Sequence, residues 1–234
     1  MTHRNTTSCA DKGDARHEVL AGVLQVRDDR LQVLLWQRAQ VPDVHRWSLP
    51  GGRLAASEDV ETSIRRQLAE KVDVHKLTHV EQLSVFSSPD RVPGRRVVAT
   101  AFLGLVPSDI DPEIPADTAW HPVDALPPTA FDHELIVLAV RDRLRAKLSY
   151  TNIGFALAPA EFTVSELRRI YSAALGYQVA ATNLQRVLSR RGVLEPTGRT
   201  VPAGPAGGRP PALFQFTSRD LQVTDPFAVF RPPS

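Results

Sequence analysis

Carboxylates and their neighbours crowd one stretch of the chain, GGRLAASEDVETSIRRQLAEKVDV, residues 51–74. Cleaving a pyrophosphate usually takes divalent cations, which offset the negative charge and activate water, and magnesium prefers oxygen ligands. Side chains three and four residues apart share one helix face, so Gln67, Glu70 and Lys71 would converge on such an ion. Glu70 suits that task. Gln67 offers only an uncharged amide oxygen, and Lys71 brings a cation to a ligand position. Two like charges about 4 Å apart repel by about 4 kcal/mol at an effective dielectric of 20. Glu58 and Glu61 are the acids that could compensate. The expectation is a helix that can face a pyrophosphate, with weak or absent hydrolysis and no working metal site.

The elements that must position this stretch are legible around it. Val60, Ile64, Leu68 and Val72 form an apolar stripe, which predicts a helix over residues 57–72. Residues 18–26 and 31–38 read as strands of a hairpin turned by Arg27-Asp28-Asp29-Arg30. Residues 41–52 read as a loop closed by Pro50-Gly51-Gly52. Residues 80–88 and 95–106 read as strands around the turn PDRVPG. A Pro-rich connection over 110–128 then leads to a long helix over 131–148, with Leu135, Leu138 and Ala139 on one face.

The stretch resembles the Nudix box. Gly52, Glu58, Arg66, Leu68, Glu70 and Val74 fit that pattern, as does the preceding SLPGG, whereas Gln67, Lys71 and Asp73 depart from it. The resemblance implies an α/β/α sandwich with a mixed sheet. It also implies a pocket in which Arg38, at the end of the second strand, meets a phosphate of ADP-ribose, with Arg53, Arg66 and Glu70 nearby. Arg91, in PDRVPG, could cover the ligand or simply be solvated. Arg66 could instead pair with Glu58 or Glu70, and Trp47 could stack on adenine or belong to the core. His133 beside Asp132 reads as a satisfied histidine at a helix start. His17, His75, His79 and His121 lack ligand spacing, so no zinc site is expected.

A second unit begins near Ser149. Thr163-Val-Ser-Glu166 is a capping box that opens a helix through Leu175, and Gly176 supplies its stop. A second helix runs from about Ala181 to Arg191 and ends at Gly192. VLEP and ALFQF read as strands on either side of TGRTVPAGPAGGRPP. Helix, turn, helix and hairpin is the order of a winged helix-turn-helix. In the second helix Leu184, Val187 and Leu188 face inward. Thr182, Asn183, Gln185, Arg186, Ser189 and Arg190 face outward with no acid among them, as contact with bases and phosphates requires. Arg199 and Arg209 flank the hairpin tip, within reach of a phosphate backbone or minor groove. A small unit for dimerisation or protein docking is the other reading.

The combination of a Nudix-like part with TVSELRRIYSAALG, ATNLQRVLSRRGVLEPTG and GRPPALFQF resembles the NrtR family of Nudix-related transcriptional regulators, over about residues 17–217. That resemblance implies a homodimeric repressor of NAD-synthesis or salvage genes. Such a protein binds double-stranded operator DNA and senses ADP-ribose or a related metabolite, with no cofactor required. The expected division is a tail over 1–16, a Nudix-like sensing domain over 17–148 and a winged helix-turn-helix over 149–234. The alternative is an ADP-ribose pyrophosphatase whose C-terminal unit only dimerises. A third reading is a Nudix-like module that docks another protein.

Composition sets the outer bounds. Hydrophobic residues make up 42% of the chain, enough for a packed core. Cys9 is the single cysteine, so no internal disulfide forms, which fits a reducing compartment. With no signal-peptide core and no apolar run of the ~18 residues a membrane helix needs, a cytoplasmic location is expected. Residues 151–234 carry 9 Arg, no Lys, 3 Glu and 2 Asp, whereas the rest is slightly acidic. The basic third permits an anionic partner, although Arg richness alone does not argue for nucleic acid.

Overall fold

The computed structural model describes residues 15–72, 77–202 and 210–225, with Lys71 and Val72 as backbone only. Of the expected N-terminal tail, residues 1–14 lie outside the described residues, as do Asp73, Val74, His75, Arg209 and the Lys71 side chain, whereas Arg16 already opens the first strand.

Strand β1 (Arg16–Arg27) and strand β2 (Arg30–Gln37) form an antiparallel hairpin whose register ends on Arg27 opposite Arg30. Asp28 and Asp29 hold φ of 49° and 56° there. Two left-handed residues in a two-residue turn match the twist of the flanking strands, and Asp tolerates that conformation. Five more strands complete the sheet: β3 (Trp47–Ser48), β4 (Gly51–Arg53), β5 (His79–Phe86), β6 (Val97–Leu105) and β7 (Thr118–Pro122). The strand order is β3-β2-β1-β6-β5, with β4 paired to β1 and β7 to β2. β1 and β6 run parallel and the other pairs antiparallel, so the sheet is mixed as expected.

Strand alternation divides β1 between two cores. Val19, Ala21 and Val23 face helix α1 (Val60–Val72), which buries Ile64 and Leu68 against them, Leu34 and Phe102. Leu20 and Leu24 face helix α2 (His133–Tyr150) across Val33, Leu35, Ala101 and Leu103. Helices on both faces make the α/β/α sandwich. α2 lies close to β1, since a Cβ on Gly22 would sit 2.6 Å from Val140 Cγ2.

Some expected details differ. α2 buries Ile136, Val137, Val140, Leu144 and Leu148, while Leu135 is 63% exposed and Leu138 and Ala139 are half-buried. The helix is apolar on adjoining faces, so periodicity alone could not say which face meets the sheet. The Pro-rich connection contains β7, which pairs with β2, and the loop before α1 contains β3 and β4. These strands are too short to show a period.

The second unit follows directly from α2. A 3-10 turn at Ile153–Ala156 leads to strand β8 (Phe162–Thr163), helix α3 (Val164–Leu175), helix α4 (Ala181–Arg190) and strands β9 (Leu194–Thr200) and β10 (Ala212–Phe216). The three strands form an antiparallel sheet in the order β8-β10-β9. Thr163 Oγ1 accepts the Glu166 N–H at 3.1 Å, and Gly176 ends α3 in the left-handed region at φ 81°. One buried cluster runs from β1 and α2 through Phe155 and Leu157 to Phe162, Leu167, Ile170, Leu184 and Phe216. Beyond β10 the chain returns to this junction. The buried Asn152 amide donates to Asp220 O at 2.9 Å, and its Oδ1 accepts the Gln222 N–H at 2.7 Å.

Candidate functional site

The loop before α1 is seated by Gly51. A Cβ there would meet Val19 O at 2.1 Å, and φ is 150°, so only glycine fits. Gly51, Gly52 and Arg53 pair with Leu20, Val19 and Glu18, which sets Arg53 at the start of β1. Asp59 caps α1, its Oδ1 accepting the Thr62 N–H at 2.7 Å.

Arg66 is the centre of this helix. Its Nε and Nη2 donate to both oxygens of Glu58, at 2.5 and 2.8 Å, and its Nη1 donates to Glu70 at 3.0 Å. The guanidinium holds the Glu58 carboxyl down to about 2, and the same bonds raise Arg66 itself. Glu61 pairs with Arg65 at 2.9 Å. Gln67 is 5% exposed, and its Oε1 is buried with no hydrogen-bond partner among the described residues. Ser63, one turn earlier on that face, is fully buried. Among the described residues no group of three or more His, Cys, Asp and Glu is placed to hold a metal ion.

The arginines expected to meet a ligand have distinct surroundings. The Arg38 guanidinium lies 4.8 Å from the centre of the Phe131 ring, and its Nε donates to Pro42 O at 3.2 Å. Arg53 is exposed on β4, opposite Glu18. Arg91 is not solvated, because its side chain is 0% accessible. It donates to both oxygens of Asp132, at 3.0 and 2.8 Å, and to Glu18 at 2.5 Å. Burial alone would weaken its hold on the proton, but the carboxylates of Asp132 and Glu18 outweigh that and raise it. Asp132 therefore serves Arg91 and makes no side-chain cap to α2. This clamp joins β1, the 88–94 turn and the start of α2.

His133 is satisfied, through a partner the sequence did not suggest. Its Nδ1 accepts the Leu49 N–H at 2.9 Å, which ties the SLPGG loop to α2. Full burial, with the charges of Arg91 and Arg38, pushes it down to about 3, so the ring is neutral. Trp47 is half-buried with its ring 4.2 Å from His121, edge to face.

On α4, Leu184 and Leu188 are buried and Val187 is half-buried. Thr182, Asn183, Arg186, Ser189 and Arg190 are exposed and Gln185 is half-buried, so the outward face has the expected members. Arg186 Nη2 donates to Asn183 Oδ1 at 2.8 Å, which steadies the guanidinium on that face. Arg199 on β9 is 65% exposed and pairs with Glu161.

The two parts thus define a Nudix-type sandwich continuous with a winged helix-turn-helix. Residues 16–139 match the NUDIX domain model, and residues 154–216 match the NrtR DNA-binding winged helix domain. The chain is 28% identical over 211 residues to the ADPR responsive transcriptional repressor NtrR of Acinetobacter baylyi, covering 87% of this chain and 83% of that one. Shewanella oneidensis NrtR complexed with a 27mer DNA superposes with a TM-score of 0.72 at 28% identity, over 86% of this chain and 93% of that one. The NUDIX domain of the same protein complexed with ADP ribose gives a TM-score of 0.51 at 29% identity, over 56% and 88%. The chain belongs to the Nudix family, among the NrtR-type Nudix-related transcriptional regulators.

Proposed function

We propose that this protein is a DNA-binding transcriptional repressor of NAD-synthesis or salvage genes, working in the cytoplasm as a homodimer. Its Nudix domain senses ADP-ribose or a related metabolite and does not cleave it. The observation that carries this reading is the exposed outer face of α4, free of acids and bearing Arg186 and Arg190, on a winged helix packed into the same core as the Nudix sandwich. The relatives support it through what is said of them: one is an ADPR responsive repressor, and another is solved both with a 27mer DNA and, as its NUDIX domain, with ADP ribose.

The donor set supports a lack of cleavage. Both Glu58 oxygens and one Glu70 oxygen are engaged by Arg66, and Gln67 is neutral. A hard divalent cation wants several anionic oxygens, and these residues do not fit one. ADP-ribose would instead meet Arg38, Arg53, Arg66 and Glu70, while Arg91 shapes the wall from within. Thr182, Asn183, Gln185, Arg186, Ser189 and Arg190, with Arg199 and Arg209 of the wing, would meet DNA. In a dimer the two α4 helices must match two half-sites, so a ligand-driven change in their spacing alters operator affinity, the coupling of two sites that allostery requires.

A gel shift tests the proposal, using promoter fragments from the protein's own genomic neighbourhood against an unrelated duplex, with and without ADP-ribose. Selective retardation that responds to ADP-ribose is expected. Retardation equal for both duplexes, or none, would refute it.

A further inference from the structure

A cavity of about 530 Å³ lies at the junction of the two units. That volume suits a small ligand. Arg30, Arg141 and Arg145 line it from the Nudix side, and Arg168 and Arg169 from α3, against only Asp29 and Asp124 among the acids. It shares no residue with the set Arg38, Arg53, Arg66 and Glu70. Arg53 and Gly51 sit at the start of β1, whereas Asp29 and Arg30 sit at its far end, and the cavity borders α2 rather than α1.

The charges of this cavity are unevenly matched. Arg30 pairs with Asp124 at 2.6 Å, Arg169 with Asp29 at 3.3 Å and Arg141 with Asp142 at 2.8 Å. Arg145 and Arg168 bond only to neutral oxygens, those of Ala174 and of the Gln178 amide, each at 3.2 Å. Neither has an ion pair among the described residues. Arg145 is set by the backbone as well, since a Cβ on Gly176 would lie 2.4 Å from its Nη2. Capping the C-terminus of α3 explains one nitrogen of Arg145. It does not explain why Arg168 lines the same cavity from α3 with no ion pair among the described residues.

We propose that this junction cavity binds a small phosphate-bearing anion, at a site separate from Arg38, Arg53, Arg66 and Glu70. Guanidinium groups present paired N–H donors that match phosphate oxygens. Because the arginines come from both units, an anion held between them fixes the angle of the winged helix relative to the Nudix sandwich.

Isothermal titration of the full chain with inorganic pyrophosphate, in EDTA, tests this, with inorganic phosphate as a second arm. Wild type should bind pyrophosphate, and the Arg38→Gln/Arg53→Gln variant should keep that binding. Added to that variant, Arg141→Gln/Arg168→Gln should weaken it tenfold or more with an unchanged melting temperature, and Arg168→Lys, which keeps the charge, should retain it. If phosphate binds as tightly as pyrophosphate, a single phosphate is the group recognised. A wild-type affinity weaker than ~1 mM would overturn the proposal, as would binding that, in the Arg38→Gln/Arg53→Gln background, survives Arg141→Gln/Arg168→Gln. It would also fall if that double variant weakened DNA binding in the absence of any small anion, since the arginines would then serve the duplex. In the Arg38→Gln/Arg53→Gln background these outcomes do not depend on whether ADP-ribose is sensed at α1.

Discussion

Arg66 and Glu58 are joined by two parallel hydrogen bonds, Nε to Oε1 at 2.5 Å and Nη2 to Oε2 at 2.8 Å. The bond pair ties the loop before α1 to the middle of that helix and turns one acid of the Nudix pattern into a structural anchor. Because Glu58 is held down to about 2, its contribution to stability is present above the usual carboxylate range and is lost as pH falls through that range toward 2. Thermal melts should therefore show Glu58→Gln less stable than wild type at pH 7, with the gap closing between about pH 4.5 and pH 2. A gap independent of pH would contradict the ion-pair account.

His133 gives the opposite kind of group, neutral when folded. Its folded value of about 3 lies below the ordinary 6.5, so the unfolded chain takes up the proton first. The stabilising effect of a neutral ring is complete above about pH 6.5 and is lost as pH falls toward 3. His133→Leu removes that pH dependence but leaves the buried Leu49 N–H without its acceptor, at a cost of about 1–3 kcal/mol at neutral pH. Denaturant unfolding at several pH values reads both effects.

The helices of both units were legible in the sequence, because their signals are local. Ile64 and Leu68 repeat at the helix period, Thr163 lies three residues before Glu166, and Leu184 and Leu188 mark the inner face of α4. The residues that assemble the site were less so. Arg91 finds Asp132 and Glu18 at separations of 41 and 73 residues, and no local pattern announces such partners. His133 meets a backbone N–H, which has no sequence signature at all. The buried face of α2 is ambiguous in sequence because Leu135, 63% exposed, continues an apolar run that the sheet does not reach. The strands β3, β4 and β8 exist only through their pairing.

Asn152 binds the returning segment after β10 to the junction between the units. Asn152→Ala leaves the Gln222 N–H and the Asp220 carbonyl without that partner, costing about 1–3 kcal/mol. Hydrogen exchange should quicken over residues 218–225 before it changes in the central sheet. Unchanged protection there would show that Asn152 does not hold the segment.

Arg186 and Arg190 share the outer face of α4 but differ in restraint, since Asn183 holds Arg186 and no such bond is made by Arg190 among the described residues. A steadied guanidinium suits base reading, and an untethered one suits phosphate. Arg186→Ala should cost about 1–3 kcal/mol on the preferred duplex and relax discrimination at one position. Arg190→Ala should weaken all duplexes alike and lower the salt slope by about 1. Filter binding across a salt series, on matched and mismatched duplexes, separates the two.

The most direct measurement of sensing without cleavage uses one sample. Fluorescence anisotropy of a labelled operator duplex is followed while ADP-ribose is added in magnesium buffer, and AMP is then quantified in the same tube. The account predicts that the apparent Kd for DNA changes by about fivefold or more while ADP-ribose is recovered intact. Stoichiometric or repeated release of AMP, lost in Glu70→Gln, with DNA affinity unmoved, would contradict it.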